Sequence, residues 1–256
     1  LLFILFFIFS SFLISIGFTG HKTDGFFNLK TNDSKQYYIN HNIEKNKVLS
    51  TNWGNLKSEN SDILIIGDSV SSDLQMSLKT IGIKTERFDI DGNCFEKIII
   101  DSKCKNLTIK KFEKVLLNKK YIIIATNILT DKTYKEIQKM YFYLEKKYKV
   151  FVLSDLQFAK PTNISFYAIN NNQNLNHLSY LYMHEDTITH EEILKSILPN
   201  ENIILKRKFF CNDDVKECEL LDENNNVIFH DPVHLTTYGW NYFGKKLVVW
   251  ANQNLN

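Results

Sequence analysis

Excess charge of one sign is the first thing this chain lacks. Its 256 residues carry 31 Lys and Arg against 29 Asp and Glu, a formal net charge of +2, with both signs mixed along the length. Nucleic-acid binding needs a concentrated basic stripe, and the sequence has none. The Lys-Lys pairs at 110–111, 119–120 and 146–147 read as solvated faces or as partners of helix C-terminal dipoles. Cysteine is scarce: four residues in two close pairs, Cys94/Cys104 and Cys211/Cys218. Neither pair has the two-to-four-residue spacing of a structural zinc site, so a zinc cluster joined by His230 and His234 is the weaker reading. An even count at short spacing suits two local disulfides, which persist only in an oxidising compartment and place the domain outside the cytosol. No metal and no cofactor is expected.

The first eighteen residues carry no charge and are almost wholly Leu, Ile and Phe with three serines. As a helix they would rise roughly 27 Å, close to the ~30 Å hydrocarbon core of a bilayer. Residues 1–18 are therefore expected to be a membrane helix. A secretory signal peptide is the rival, but no basic segment precedes the apolar run and Ser15-Ile16-Gly17 is a poor cleavage site. A buried core helix is the bland alternative. The first residue is Leu, so an upstream portion is expected to be missing. Residues 19–60 are rich in Asn, Lys and Ser but hold Phe26, Phe27, Tyr37, Tyr38 and Trp53, which suggests an extension packed on the main domain or the membrane surface. Residues 61–256 form the main domain. With 44% apolar and 13% aromatic content, the chain has material for one sizeable core.

From Asp62 onward strand and helix alternate. Strands are predicted at 63–66, 85–90, 121–125, 150–153 and 203–206, apolar enough for a buried parallel sheet. Helices are predicted over 71–81, from Thr108 through Leu117, over 132–148 and over 191–197. Residues 154–189 read as an irregular stretch with a short helix, able to shape a cleft. Asn224-Asn225-Asn226 reads as a hairpin turn between short strands. The closing helix starts at a Thr236 N-cap, with Tyr238, Tyr242, Phe243, Leu247 and Trp250 on its apolar face. Such alternation implies a three-layer α/β/α sandwich with a central parallel sheet.

Two motifs carry chemistry. Gly67-Asp68-Ser69 comes directly after the apolar run Ile63-Leu64-Ile65-Ile66, and Asp231-Pro232-Val233-His234 lies near the other end of the chain. A serine hydroxyl becomes a nucleophile when an imidazole removes its proton, and a carboxylate fixes that imidazole's tautomer and steadies its charge. An Asp three residues before a His can share one turn with it, so Asp231 and His234 can be built locally while the fold brings in Ser69. The plainer reading is a tight turn with a helix cap, which Asp and Ser also favour. In an open parallel sheet the reactive groups gather beyond the strand carboxyl ends, and Ser69, Gly92 and Asn127 all fall just past predicted strand ends.

Ile65-Ile66-Gly67-Asp68-Ser69 and Asp231-Pro232-Val233-His234-Leu235-Thr236 resemble blocks I and V of the SGNH (GDSL-like) hydrolases, whose fold is flavodoxin-like. More narrowly they resemble the SGNH domain fused behind acyltransferase family 3 membrane proteins, which O-acetylate bacterial surface polysaccharides. Gly92-Asn93-Cys94 with Cys104, the Cys211/Cys218 pair and the upstream hydrophobic segment fit that subgroup. The resemblance implies Ser69 as nucleophile, His234 as general base and Asp231 as its orienting acid. It implies an oxyanion hole from the Ser69 and Gly92 backbone N–H groups, with the Asn127 side chain as third donor. The Gly-x-Asn-Asp wording of many relatives is missing at Asn127, where a strand-end turn former is the plainer role.

The activity implied by the resemblance is that of an extracytoplasmic O-acyltransferase. Such a domain would move an acyl group onto a surface polysaccharide or lipopolysaccharide hydroxyl, with donor delivered through a bacterial inner-membrane acyltransferase domain. An extracytoplasmic carbohydrate esterase and a non-catalytic glycan-binding domain are the alternatives. His177, His184 and His190 read as surface or cap residues, Asp155 as a strand end beside the cleft, and Asp68 as support for its turn.

Overall fold

The computed structural model describes residues 42–48, 61–90, 94–99, 108–127, 131–159 and 173–255. The predicted membrane helix 1–18, most of the 19–60 extension, Gly92 and Cys104 lie outside the described residues. Among the described residues, no helix is long and apolar enough to cross a membrane.

Five parallel strands make the central sheet: β1 (Ile63–Gly67), β2 (Glu86–Asp89), β3 (Tyr121–Ala125), β4 (Lys149–Leu153) and β5 (Ile203–Ile204), in the order β2-β1-β3-β4-β5. Period-two alternation splits their side chains between two cores. Ile63, Ile65, Ile123, Ala125, Phe151 and Leu153 face α1 (Ser69–Thr80) and α7 (Thr237–Asn254). Leu64, Ile66, Ile122, Ile124, Val150 and Val152 face α2 (Phe95–Ile99), α3 (Ile109–Leu116), α4 (Asp131–Leu144) and α6 (Asp186–Ile197). This is the three-layer arrangement expected. The order reverses at β1, with β2 on one side and β3 on the other, so a crevice opens beyond their carboxyl ends.

Register sets what meets there. Gly67 pairs with Ala125 of β3 and with Asp89 of β2, so the residues just past each strand run side by side. A Cβ at position 67 would come within 1.7 Å of the Ala125 carbonyl oxygen, so only glycine allows the approach.

Four local predictions need correction. Helix α1 starts at Ser69, two residues earlier than expected, because the Asp68 side chain accepts the Val70 N–H and caps it. Helix α6 starts at Asp186, earlier than expected, and takes in His190, while α5 (Leu175–Leu181) is the short helix expected in the irregular stretch. The last central strand stops at Ile204, and Lys206 opens a 3-10 turn (Lys206–Phe209) with its side chain buried. The apolar face of α7 also takes in Trp240, which is in the core, while Tyr238 is only half-buried and half-buried Trp250 packs edge-on to Phe151. Gly244 lets α7 lie close against α1, since a Cβ there would lie 2.2 Å from Thr80 Oγ1 and 2.5 Å from the Ser77 carbonyl of α1.

The Asn-rich turn is present: Asn225 adopts φ +61°, and Asp222 Oδ1 accepts the N–H groups of Asn224 and Asn226. The flanking strands reduce to a single Leu221–Val227 bridge. Cys211 and Cys218 are disulfide-bonded across a two-stranded hairpin, β6 (Cys211–Asn212) and β7 (Glu217–Cys218). Cys94 is also disulfide-bonded. Upstream, the helical residues 42–48 place Val48 in the core, and Thr237 Oγ1 donates a hydrogen bond to Glu44 Oε2.

Candidate active site

The fold carries Ser69 and His234 together across 165 positions of chain. Ser69 Oγ lies 2.8 Å from His234 Nε2, and the opposite ring nitrogen, Nδ1, lies 2.6 Å from Asp231 Oδ2. Asp231 Oδ1 accepts the backbone N–H groups of Val233 and His234 at 2.9 and 2.8 Å, closing a tight turn that keeps the imidazole within reach of the Asp231 carboxylate. Burial works against the Asp231 charge. The hydrogen bond and charge of His234 and the two backbone donors overcome it, and hold the carboxyl well below the usual carboxylate range. Burial also disfavours imidazolium at His234, yet the bond to Asp231 and the charges of Asp73 and Asp231 win, raising its pKa above the ordinary 6.5. His230 stacks on His234 with ring centroids 5.8 Å apart.

Asp68 does more than support its turn. Its Oδ1 caps α1, while its Oδ2 accepts Thr126 Oγ1 at 2.7 Å and the Asn127 N–H at 2.9 Å. The turn bearing Ser69 is thus tied to the turn bearing Asn127. The Asn127 amide is oriented by a second link. Gln157 Nε2 donates both to the buried Asp155 carboxylate and, at 3.1 Å, to Asn127 Oδ1. A carboxylate only accepts, so Gln157 must present its NH₂ there, and Asn127 must meet that NH₂ with its oxygen. The Asn127 NH₂ is left turned away from Gln157 as a donor.

Three residues escaped the sequence reading: Gln157, Asp73 and Lys206. Asp73 is buried on α1 one turn beyond Ser69, and accepts Trp240 Nε1 at 2.8 Å and the Leu235 N–H at 3.1 Å. Lys206 is fully buried and donates Nζ to the Val233 carbonyl at 3.2 Å. The i, i+4 spacing of Ser69 and Asp73 on an amphipathic helix was the available signal for Asp73.

Three other described histidines lie away from this chain of groups. His177 Nδ1 contacts the Lys216 carbonyl beside the disulfide hairpin, and His184 pairs with Asp186 on the surface. His190 packs edge-on to Tyr134, its Nδ1 4.0 Å from Asp155 Oδ2. His230, Asp231 and His234 offer ligand atoms within 4.8 Å of one another, the closest approach to a metal set among the described residues. An ion there would have to displace the proton shared by Asp231 and His234, so the hydrogen-bonded chain to Ser69 is the better account of these groups.

A hydroxyl in line with an imidazole and a carboxylate, beside a fixed amide donor, is equipped for acyl transfer. The family model described as SGNH domain (fused to AT3 domains) matches residues 37–248. The chain belongs to this family. No curated protein matches the sequence. Two solved structures are similar to this SGNH domain. One is a putative platelet activating factor from Streptococcus pneumonia, 11% identical, with a TM-score of 0.44 over 86% of this chain and 99% of that one. The other is the C-terminal catalytic domain of Streptococcus pneumoniae peptidoglycan O-acetyltransferase A with a methylsulfonyl adduct. It is 12% identical, with a TM-score of 0.40 over 75% of this chain and 93% of that one.

Proposed function

We propose that this SGNH domain is an extracytoplasmic O-acyltransferase that carries an acyl group through Ser69 to a surface-glycan hydroxyl. The observation that supports the reading is the unbroken chain Ser69 Oγ–His234 Nε2 and His234 Nδ1–Asp231 Oδ2, at 2.8 and 2.6 Å. His234 takes the Ser69 proton as Oγ bonds to the acyl carbonyl carbon. The tetrahedral oxyanion is met by the backbone N–H groups of Ser69 and Gly92 and by the Asn127 NH₂. His234 then returns the proton to the departing donor oxygen, leaving acyl-Ser69. A glycan hydroxyl enters, gives its proton to His234 and takes the acyl group, and Ser69 recovers its hydrogen.

Fusion to AT3 domains in this family supports a membrane-borne source of acyl donor, with residues 1–18 as the last span of that part. The Cys211–Cys218 bridge supports an oxidising, periplasmic setting for the SGNH domain.

The test is turnover of an activated acetyl ester by the full chain, with and without acceptor glycan. Ser69→Ala and His234→Gln are expected to abolish it, and Asp231→Asn to lower kcat by roughly 10³–10⁴. Acyl groups appearing on glycan, with free acetate suppressed by acceptor, support transfer. Acetate release independent of acceptor supports the esterase instead. Unchanged turnover in Ser69→Ala defeats both.

A further inference from the structure

The Ser-His-Asp chain leaves unused a buried carboxylate on the nucleophile's own helix. Asp73 projects from the helix that begins at Ser69, yet both of its oxygens are spent on the other end of the sequence. Oδ2 holds the N–H of Leu235, the residue directly after His234, and Oδ1 holds the indole N–H of Trp240 in the first turns of α7. Two N–H donors suit an ionised carboxylate, and among the described residues neither oxygen is hydrogen-bonded to an acceptor that would take a carboxylic proton. On the opposite side, buried Lys206 grips the carbonyl of Val233, the residue directly before His234. The imidazole is therefore bracketed in sequence, with its neighbours held by a buried anion and a buried cation.

We infer that Asp73 is a positioning residue that clamps the His234 loop onto the nucleophile's own helix and supports the imidazolium formed when Ser69 gives up its proton. The inference rests on His234 acting as the base. Because Asp73 and Ser69 share one helix, any shift of the His234 loop relative to Asp73 is also a shift relative to the nucleophile. Because Asp73 is buried, its charge reaches the ring through protein and not through water.

The charged and titratable groups facing His234 are Asp231 and stacked His230 on its own loop, Asp73 from α1, and Lys206 from the turn after β5. Asp231 and Asp73 favour the protonated ring, and Lys206 opposes it. Burial raises the Asp73 carboxyl above its ordinary 3.8, an effect that His234, Lys206 and the two N–H donors offset only in part.

Asp73→Asn removes the charge but must turn its NH₂ toward one of two N–H donors. Asp73→Ser removes the charge without that clash, and is read the same way should the first variant fail to fold. Two readings are taken on the full chain. One is the pH profile of kcat/KM for p-nitrophenyl acetate. The other is the ring titration of His234 by NMR of histidine-labelled protein, its signal identified by loss in His234→Gln. Loss of Asp73 is expected to move the acid limb and the ring titration together to lower pH by roughly one unit. It should also cut kcat about a hundredfold, with KM little changed. An unmoved ring titration, or a rate loss that only tracks a lower melting temperature at constant pH profile, overturns the inference and leaves Asp73 a structural cap. Ester turnover that survives Ser69→Ala defeats the acyl-enzyme reading instead, and the ring titration then still decides the electrostatic role of Asp73.

Discussion

Asp68 accepts the backbone N–H of Asn127 on the same carboxylate that caps the helix beginning at Ser69. The nucleophile's turn and the amide's turn are consequently one hydrogen-bonded unit at the carboxyl ends of β1 and β3. Asp68→Ala is expected to cost about 1–2 kcal/mol from the lost cap. It should also lower kcat more than that stability loss explains, because Asn127 is released. Urea unfolding alongside ester kinetics separates the two, and a variant as active as wild type contradicts the link.

Gln157 is expected to act on rate without touching the reacting atoms. In Gln157→Leu nothing fixes which end of the Asn127 amide faces the site, so a fraction of molecules presents oxygen where a donor is needed. Removing an oxyanion donor outright typically costs ~10²–10³ in kcat, and partial misorientation should cost about tenfold. Gln157→Glu places a carboxylate beside Asp155 and should be worse than Leu. Equal activity in the two variants would count against the orientation argument.

The pH dependence has a definite sign. Only neutral imidazole can take the Ser69 proton, so kcat/KM should fall on the acid side with a midpoint above the ordinary histidine value of 6.5. For stability, a raised histidine favours the folded state below its unfolded pKa, and that contribution fades as pH climbs through the folded value. Asp231, held low, contributes above the ordinary 3.8 and loses that contribution as pH falls through its folded value. The urea midpoint attributable to this pair should therefore be highest between 3.8 and the ordinary histidine value of 6.5, and decline on either side. Comparing wild type with His234→Gln isolates it. A rate limb at or below 6.5 would contradict the assignment.

The disulfide hairpin should matter to folding and not to chemistry. Cys211 and Cys218 close a loop with a sequence separation of 7, for which chain entropy suggests about 2 kcal/mol. Cys211→Ser with Cys218→Ser is expected to lower the unfolding free energy by about that amount and to leave kcat/KM for a small ester unchanged. Thermal unfolding with matched kinetics checks it.

Much of the sheet was legible because buried parallel strands read as unbroken apolar runs, as in Ile63–Gly67 and Tyr121–Ala125. Ser69, Asp231 and His234 stood out in the sequence as a serine after a strand and an acid three positions before a histidine, and the fold brings the three into one hydrogen-bonded chain. Asp73 and Lys206 did not stand out. An Asp inside an amphipathic helix and a Lys at the head of Lys206-Arg207-Lys208 look like ordinary solvated charges, and only tertiary packing buries them. The face of α7 departs from its hydropathy pattern for a related reason. Trp240 faces the core because Gly239 and Gly244 let the helix sit close, and glycine carries no hydropathy signal.

The short helical stretch at 42–48 packs on the domain close to the start of α7. Glu44 is fastened to Thr237, three positions past the imidazole, and Val48 is sunk in the same interior as α1 and α7. Trimming the polypeptide at the first strand would pull a plug from that interior and unlatch the opening turn of the final helix. Tension or displacement arriving from upstream has a short mechanical route to the His234 ring.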